Sequence, residues 1–327
     1  MRGRRIILQG LFMGIIALMT IGAVVPAQAQ EKYPTRAIDI IVGFVPGGST
    51  DLSTRIMADY LKKKWKVPVN VINKGGGNTI PAALEVYNAK PDGYTLFADS
   101  SSSNAALEIG SKDLPFKVMD RTFIGMHSLL PFVFVVYAPS PYKNFQDLIV
   151  EAKKDPEHFT WTSNGGVGFQ DITFRQFCKA VGIDVTKTKP IVTRGAAESI
   201  TLAAGGHVKM GGGSATSAKA SLQAGTIRAL AVTSKEKWAE IPNAPTTSEL
   251  GYPSIDNHQW NGVSGPPKMP LHIVEIWEKA MQDMAKDPEV NTRMKSVGTK
   301  IHYLNSREVR EYVERQRAEL KVLWGVK

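Results

Sequence analysis

The sequence predicts an α/β protein of two lobes hinged around a cleft, and three observations predict it. Apolar strand-like runs alternate with amphipathic helical runs along most of the 327 residues, the pattern of βαβ units and a largely parallel sheet in each lobe. Two glycine-rich strand-to-helix corners of the same design lie in different halves of the chain: DIIVGFVPGGSTD (Asp39 to Asp51) and WTSNGGVGFQDITFRQF (Trp161 to Phe177). After Gly262 the texture turns helical, and a tail returning over the first lobe is the economical topology. It would give two crossing segments, near 136–141 and 257–265, which is how a hinged binder is built.

Taken in order, the elements begin with a basic stretch, Arg2, Arg4 and Arg5, followed by an almost wholly apolar run to Val25. Pro26-Ala27-Gln28-Ala29 then places small residues where a signal peptidase reads, so export with cleavage after Ala29 is expected; a retained anchor is the alternative. Strand patterns follow at 38–44, 67–72, 94–98, 132–136, 159–162, 190–192, 208–210 and 227–232. Helical patterns separate them at 52–64, 80–88, 145–154, 171–181, 196–204 and 215–224. The tail reads as helices at 271–286, 289–297 and 307–323 with a short strand at 301–304. The resulting division is 1–29 signal, 30–136 plus 260–327 as lobe 1, and 137–259 as lobe 2. Removing 29 of 327 residues leaves about 298, which suits two domains.

Composition narrows the function classes. The formal charge is +10, and removing three signal arginines leaves +7, a surplus that favours anionic ligands or simply marks a basic protein. Lys62, Lys63, Lys64 and Lys66 end a helix, where cations complement its dipole, and nothing resembles a nucleic-acid module. A single cysteine, Cys178, excludes an internal disulfide and a cysteine metal cluster, and its apolar helical setting reads as a buried inert thiol. The six histidines have no metal spacing, no G-x-S-x-G elbow is present, Gly166-Val167-Gly168 meets Asp171 where a dinucleotide fingerprint needs glycine, and Lys74-Gly75-Gly76-Gly77 lacks a P-loop ending. The reading is therefore not an enzyme, with no cofactor and no metal. An exported α/β hydrolase, or a sensing subunit for a membrane signalling protein, is the alternative.

Each corner exposes backbone N–H groups that a helix start leaves unsatisfied, a cradle for an anion. Glycine suits it because a backbone without Cβ can approach a ligand closely. Two cradles suggest one ligand held between two lobes.

Tyr33-Pro34-Thr35-Arg36-Ala37-Ile38, the PGGSTD corner, Pro91-Asp92-Gly93-Tyr94-Thr95-Leu96 and Ile241-Pro242-Asn243-Ala244-Pro245-Thr246-Thr247-Ser248-Glu249-Leu250-Gly251-Tyr252-Pro253 occur in that order. With them the mature chain resembles the periplasmic solute receptors of tripartite tricarboxylate transporters, also called Bug receptors. The resemblance implies a Venus-flytrap fold of the type II periplasmic binding proteins, a small organic carboxylate ligand, and delivery by a monomeric receptor to a two-component membrane permease. By position it assigns the ligand's carboxylate to Phe44, Val45, Gly47, Gly48, Ser49 and Asp51 of the first corner. From the second corner it assigns Ser163, Asn164, Gly165, Gly166, Val167 and Gly168.

Repulsion argues against direct contact between Asp51 and an anion. It stabilises the helix start, holds a bridging water or, as in relatives with amino-acid ligands, faces an ammonium group. Ser100 and Ser101, in the serine run after PDGYTLF, are candidate polar groups of the first lobe. Thr193-Arg194-Gly195-Ala196-Ala197-Glu198 matches the element reaching the ligand's far side. Arg194 is either a clamp on a second carboxylate or a surface arginine, and Gly195 accompanies it. Two departures from the family pattern stand out. Phe169 begins the stretch where a histidine usually follows, and either stacks on a ligand or belongs to the core. Glycines 211–213 replace an expected acid, which implies a roomier distal pocket.

Overall fold

The computed structural model describes residues 32–111, 113–166 and 168–325, and every element below lies in one compact unit beginning at Pro34. The export signal, its cleavage point and Val167 fall outside the described residues.

The first apolar run forms β1 (Ile38–Val42), the Pro-Gly-Gly corner opens α1 (Ser49–Trp65), and the chain returns as β2 (Val69–Asn73). Helix α2 (Ile80–Tyr87) then crosses to β3 (Thr95–Ser100), so that β1 lies parallel between β2 and β3. After a short α3 (Ala105–Gly110) comes β4 (Thr122–Tyr137), sixteen residues long. The second half continues with α4 (Phe145–Lys154), β5 (Thr160–Ser163), α5 (Phe169–Val181), β6 (Lys189–Val192) and α6 (Ala196–Ala204). Next are β7 (Gly211–Ser214), α7 (Ala215–Gln223) and β8 (Ile227–Val232). The tail holds β9 (His258–Gly265), α8 (Leu271–Ala285), α9 (Pro288–Ser296), β10 (Lys300–Asn305) and α10 (Ser306–Trp324).

The sheet runs β10-β4-β9-β3-β1-β2, with β7 and β8 also paired to β4; β5 and β6 form a separate parallel pair. The expectation of largely parallel sheets is corrected here: β4 is antiparallel to β7, β8, β9 and β10, and β3 to β9. The reason is β4 itself. From Thr122 to Pro131 it pairs with β9, and from Phe132 onward it pairs with β7 and β8. Pro131 has no N–H to donate to a ladder, so the partner exchange falls where the strand is weakest. One continuous strand thus serves both lobes of a two-lobe flytrap.

Side chains of β4 alternate as a pleat requires. Phe132, Phe134 and Val136 enter an aromatic core with Phe145, Phe159, Trp161, Phe174 and Phe177. Val133 and Val135 pack on the other face with Ile200, Ala203, Ile227 and Val232. The other lobe's core joins Ile41, Phe97, Phe123, Met126 and Trp260 to Val309, Val313 and Leu320 of α10, which returns to cover it. Asn305 caps α10 by accepting from the Glu308 N–H at 3.0 Å, and Glu308 reciprocates to the Asn305 N–H. Cys178 is buried in the aromatic core, and burial pushes its thiol up to about 12, consistent with an inert role.

The strand expected at 208–210 lies instead at 211–214, made of the three glycines. A Cβ on Gly212 would collide with the Phe132 ring, and one on Gly213 would sit 2.9 Å from Ala196 Cβ. Glycine there lets β7 lie flush against β4 and the start of α6.

Candidate functional site

A cavity of about 1000 Å³ opens between the starts of α1, α5 and α6. The first corner contributes Phe44, Val45, Gly48 and Ser49 to its wall, and the second contributes Asn164, Gly168 and Phe169. Arg194 and Gly195 complete the expected residues found there. Gly47, Asp51, Ser100, Ser101, Ser163, Gly165 and Gly166 lie outside the cavity wall.

The helix starts differ in what their amides do. Gly48 precedes α1 in extended conformation and supplies no side-chain cap. The N–H groups of Ser49, Thr50 and Asp51 donate to no acceptor among the described residues, so a seventeen-residue helix presents its positive end to the cavity. Asp51 turns away from this opening. Its carboxylate accepts from the Gly47 N–H at 2.9 Å, Arg55 Nε at 3.0 Å and Asn73 Nδ2 at 2.9 Å. Although burial opposes it, these bonds hold the carboxyl below its ordinary value of 3.8. Helix α6 repeats the arrangement: Gly195 gives no side-chain cap, and Glu198 accepts from the Arg194 N–H at 2.8 Å. In both helices the acid satisfies the amide before the cap and leaves the first turn open.

The second corner is different because it already holds an anion. Asp171 is fully buried, and its carboxylate accepts from the Asn164 N–H at 2.9 Å, the Gly168 N–H at 2.8 Å and Ser163 Oγ at 2.5 Å. Ser163 Oγ in turn accepts from the Gly165 and Gly166 N–H groups at 3.1 and 3.3 Å. Burial pushes the Asp171 carboxyl above 3.8 despite the bonds donated by Ser163, Gly168 and Asn164. Of the amides expected to meet a ligand here, those of Asn164 and Gly168 are taken by the chain's own carboxylate and those of Gly165 and Gly166 by the Ser163 hydroxyl.

Ser100 and Ser101 are wholly buried, with Ser100 bonded to Ser103, while their neighbour Ser102 reaches the cavity and accepts from the Phe169 N–H at 3.1 Å. Phe169 is 4 % exposed and meets Phe132 edge-on at 5.4 Å, so most of its ring belongs to the core although the residue contributes to the wall.

Sequence reasoning missed the 76–79 loop, where Gly76, Gly77, Asn78 and Thr79 all have positive φ and all line the cavity. Asn78 and Thr79 pay a steric cost for that conformation, a mark of functional segments. The available signal was the Gly75-Gly76-Gly77 run, read only as a failed P-loop. Gly75 explains part of it: a Cβ there would lie 2.8 Å from the Val45 N. Gln259 and Gln170 also line the cavity, and nothing in the sequence marked them.

Among the described residues the ionisable groups of the wall are Arg194 and Glu198, paired at 3.1 Å, with the arginine side chain 84 % exposed. Arg194→Ala is therefore expected to change affinity for a bound anion by less than about fivefold, since exposed pairs contribute little. Calorimetry would measure it, and a loss above a hundredfold would show the guanidinium moving onto the ligand.

Residues 53–324 match the family model described as the tripartite tricarboxylate transporter family receptor. A UPF0065 protein from the gbd 5′ region of Cupriavidus necator is 30 % identical over 296 residues, 89 % of this chain and 87 % of that one. The solved periplasmic binding protein BugD superposes with a TM-score of 0.80 at 25 % identity, covering 90 % of this chain and 99 % of BugD. MatC of Rhodopseudomonas palustris, solved with bound malate, gives 0.81 at 20 % identity over 89 % of this chain and 99 % of its own.

Proposed function

The chain belongs to the tripartite tricarboxylate transporter receptor family, and from that premise we propose that it captures a small organic carboxylate in the cavity between its lobes and hands it, as a monomer, to a two-component membrane permease. Its place of work is the periplasm, as for the periplasmic binding proteins it resembles in fold, with export through cleavage after Ala29 part of the same proposal. The observation that carries the reading is the open start of α1. Three amides and a Thr79 Oγ1 that find no partner among the described residues, together with the helix dipole, face the cavity. A carboxylate supplies the acceptors that all of these lack. MatC's malate shows that a protein of this fold accommodates such a group.

We place the lobes as 30–131 with 260–327, and 132–259, which moves the first crossing of the expected division from 136 to Pro131, where β4 exchanges partners. Closure then has a physical cause. A ligand touching the α1 start from one lobe and the α6 start from the other favours the closed arrangement, which is what a permease must recognise.

A thermal-shift screen against mono-, di- and tricarboxylates tests the reading. A ligand at about a hundred times its dissociation constant is expected to stabilise the protein by roughly 2.7 kcal/mol. No stabilisation by any carboxylate, with calorimetry equally blank, would overturn the receptor assignment.

A further inference from the structure

We infer that this cavity selects a monocarboxylate whose ring-sized apolar body carries one hydrogen-bond donor, and that it discriminates against di- and tricarboxylates. The inference deepens the proposed function and rests on it.

Charge comes first. The α1 start offers positive potential with Asp51 withdrawn behind it, bound to Arg55 and 2 % exposed. The far wall offers no such surplus. Arg194 and Glu198 neutralise one another, and Glu198 lies in the first turn of α6, where it offsets that helix's dipole. A second carboxylate entering there would meet a nearby anion and a cation already engaged, while losing its own hydration.

The rest of the wall is apolar. Among the described residues, Val45 and Val192 are two of the few large hydrophobic residues left exposed, at 45 % and 69 %, and both line this cavity. Leu202, Ala196 and the little-exposed Phe169 extend the same surface. Exposed apolar area inside a cleft is covered most favourably by an apolar ligand body.

Gln170 supplies the remaining preference. It lines the cavity at 2 % exposure, and its Nε2 donates to the Gly212 carbonyl at 3.1 Å, which fixes the orientation of the amide. Among the described residues its Oε1 then has no donor. A hydroxyl on the ligand satisfies it, whereas a purely hydrocarbon body leaves it unpaired.

Calorimetry of the purified protein with benzoate, the three monohydroxybenzoates, succinate and citrate tests this. At least one hydroxybenzoate is expected to bind tenfold or more tightly than succinate or citrate, and more tightly than benzoate. Gln170→Met should bring that hydroxybenzoate to within twofold of benzoate. Val192→Ser, at a position 69 % exposed, should weaken it threefold or more with the thermal melt of the free protein measured alongside. Succinate or citrate binding as tightly as the best monoacid would overturn the inference and leave the receptor reading standing, as would unchanged hydroxybenzoate affinity in Val192→Ser. Failure of every carboxylate, including a wider panel, would remove both.

Discussion

Gly48→Val is expected to reduce carboxylate affinity by a hundredfold or more while leaving the protein folded. Gly48 has φ −80°, an ordinary value for any L residue, and a Cβ built on it meets nothing within 4 Å. The fold therefore accepts the substitution at a cost of no more than about 1 kcal/mol, the scale of a changed N-cap. The open space that receives the isopropyl group is the cavity, directly before the unpaired amides of Ser49 and Thr50. Charge-assisted hydrogen bonds contribute about 1.5–3 kcal/mol each, so losing two removes about 3–6 kcal/mol of binding. Gly166→Val is the informative partner. Gly166 has φ +94° and its N–H already bonds Ser163 Oγ, away from the cavity wall. There the strained conformation costs stability, about 1–3 kcal/mol, with a small direct effect on affinity. Calorimetry and thermal melts on both variants separate the cases. Undiminished affinity in Gly48→Val would remove the α1 start from the site.

What was legible in the sequence follows the same physical lines. The corner from Phe44 to Asp51 could be read because a buried strand, a Pro-Gly-Gly break and an amphipathic helix are all local signals. The helices from Phe145–Lys154 to Ala215–Gln223 were readable for the same reason, each burying one periodic face. Strand β4 was half hidden. Only its apolar second half advertised itself, and Pro131 argued against continuity, because a proline in a strand normally marks an edge. Strand β9 was read only as a crossing segment because polar residues interrupt its apolar Trp260 and Val263, and those polar side chains bond within the protein: Gln259 Nε2 donates to Ser49 Oγ at 2.7 Å, and Asn261 Oδ1 accepts from Thr50 Oγ1 at 2.8 Å. These bonds position the α1 start, yet they join residues more than two hundred apart and leave no local pattern. The state of the second corner was equally invisible. Its glycines say that amides converge, and they do; which acceptor takes them depends on where α5 places Asp171.

Asp171→Ala is expected to destabilise the folded protein by about 2–5 kcal/mol, since it leaves the Asn164 and Gly168 amides and the Ser163 hydroxyl without their shared acceptor. Asp171→Asn isolates the charge. The carboxamide oxygen can still accept from both amides, so most of the stability should return. The two variants also separate in pH dependence. Burial raises the Asp171 carboxyl above its ordinary 3.8, so the folded state holds that proton more tightly than the unfolded chain does. Its contribution is therefore most favourable below 3.8 and declines as pH rises from 3.8 through the higher folded value. Asn does not titrate. The stability of the wild-type protein should thus fall relative to Asp171→Asn across that interval, and the difference should become constant above it. Chemical denaturation of both proteins from pH 3.5 to 7 measures this directly. A difference that widened in the opposite direction would mean that the hydrogen bonds outweigh burial and that the corner holds its carboxylate as a stabilising anion. In either case the ligand's access to the second corner is governed by Asp171. Asp171→Ala, where it folds, should free amides that a carboxylate can take, so added carboxylate is expected to restore more stability to this variant than to the wild-type protein.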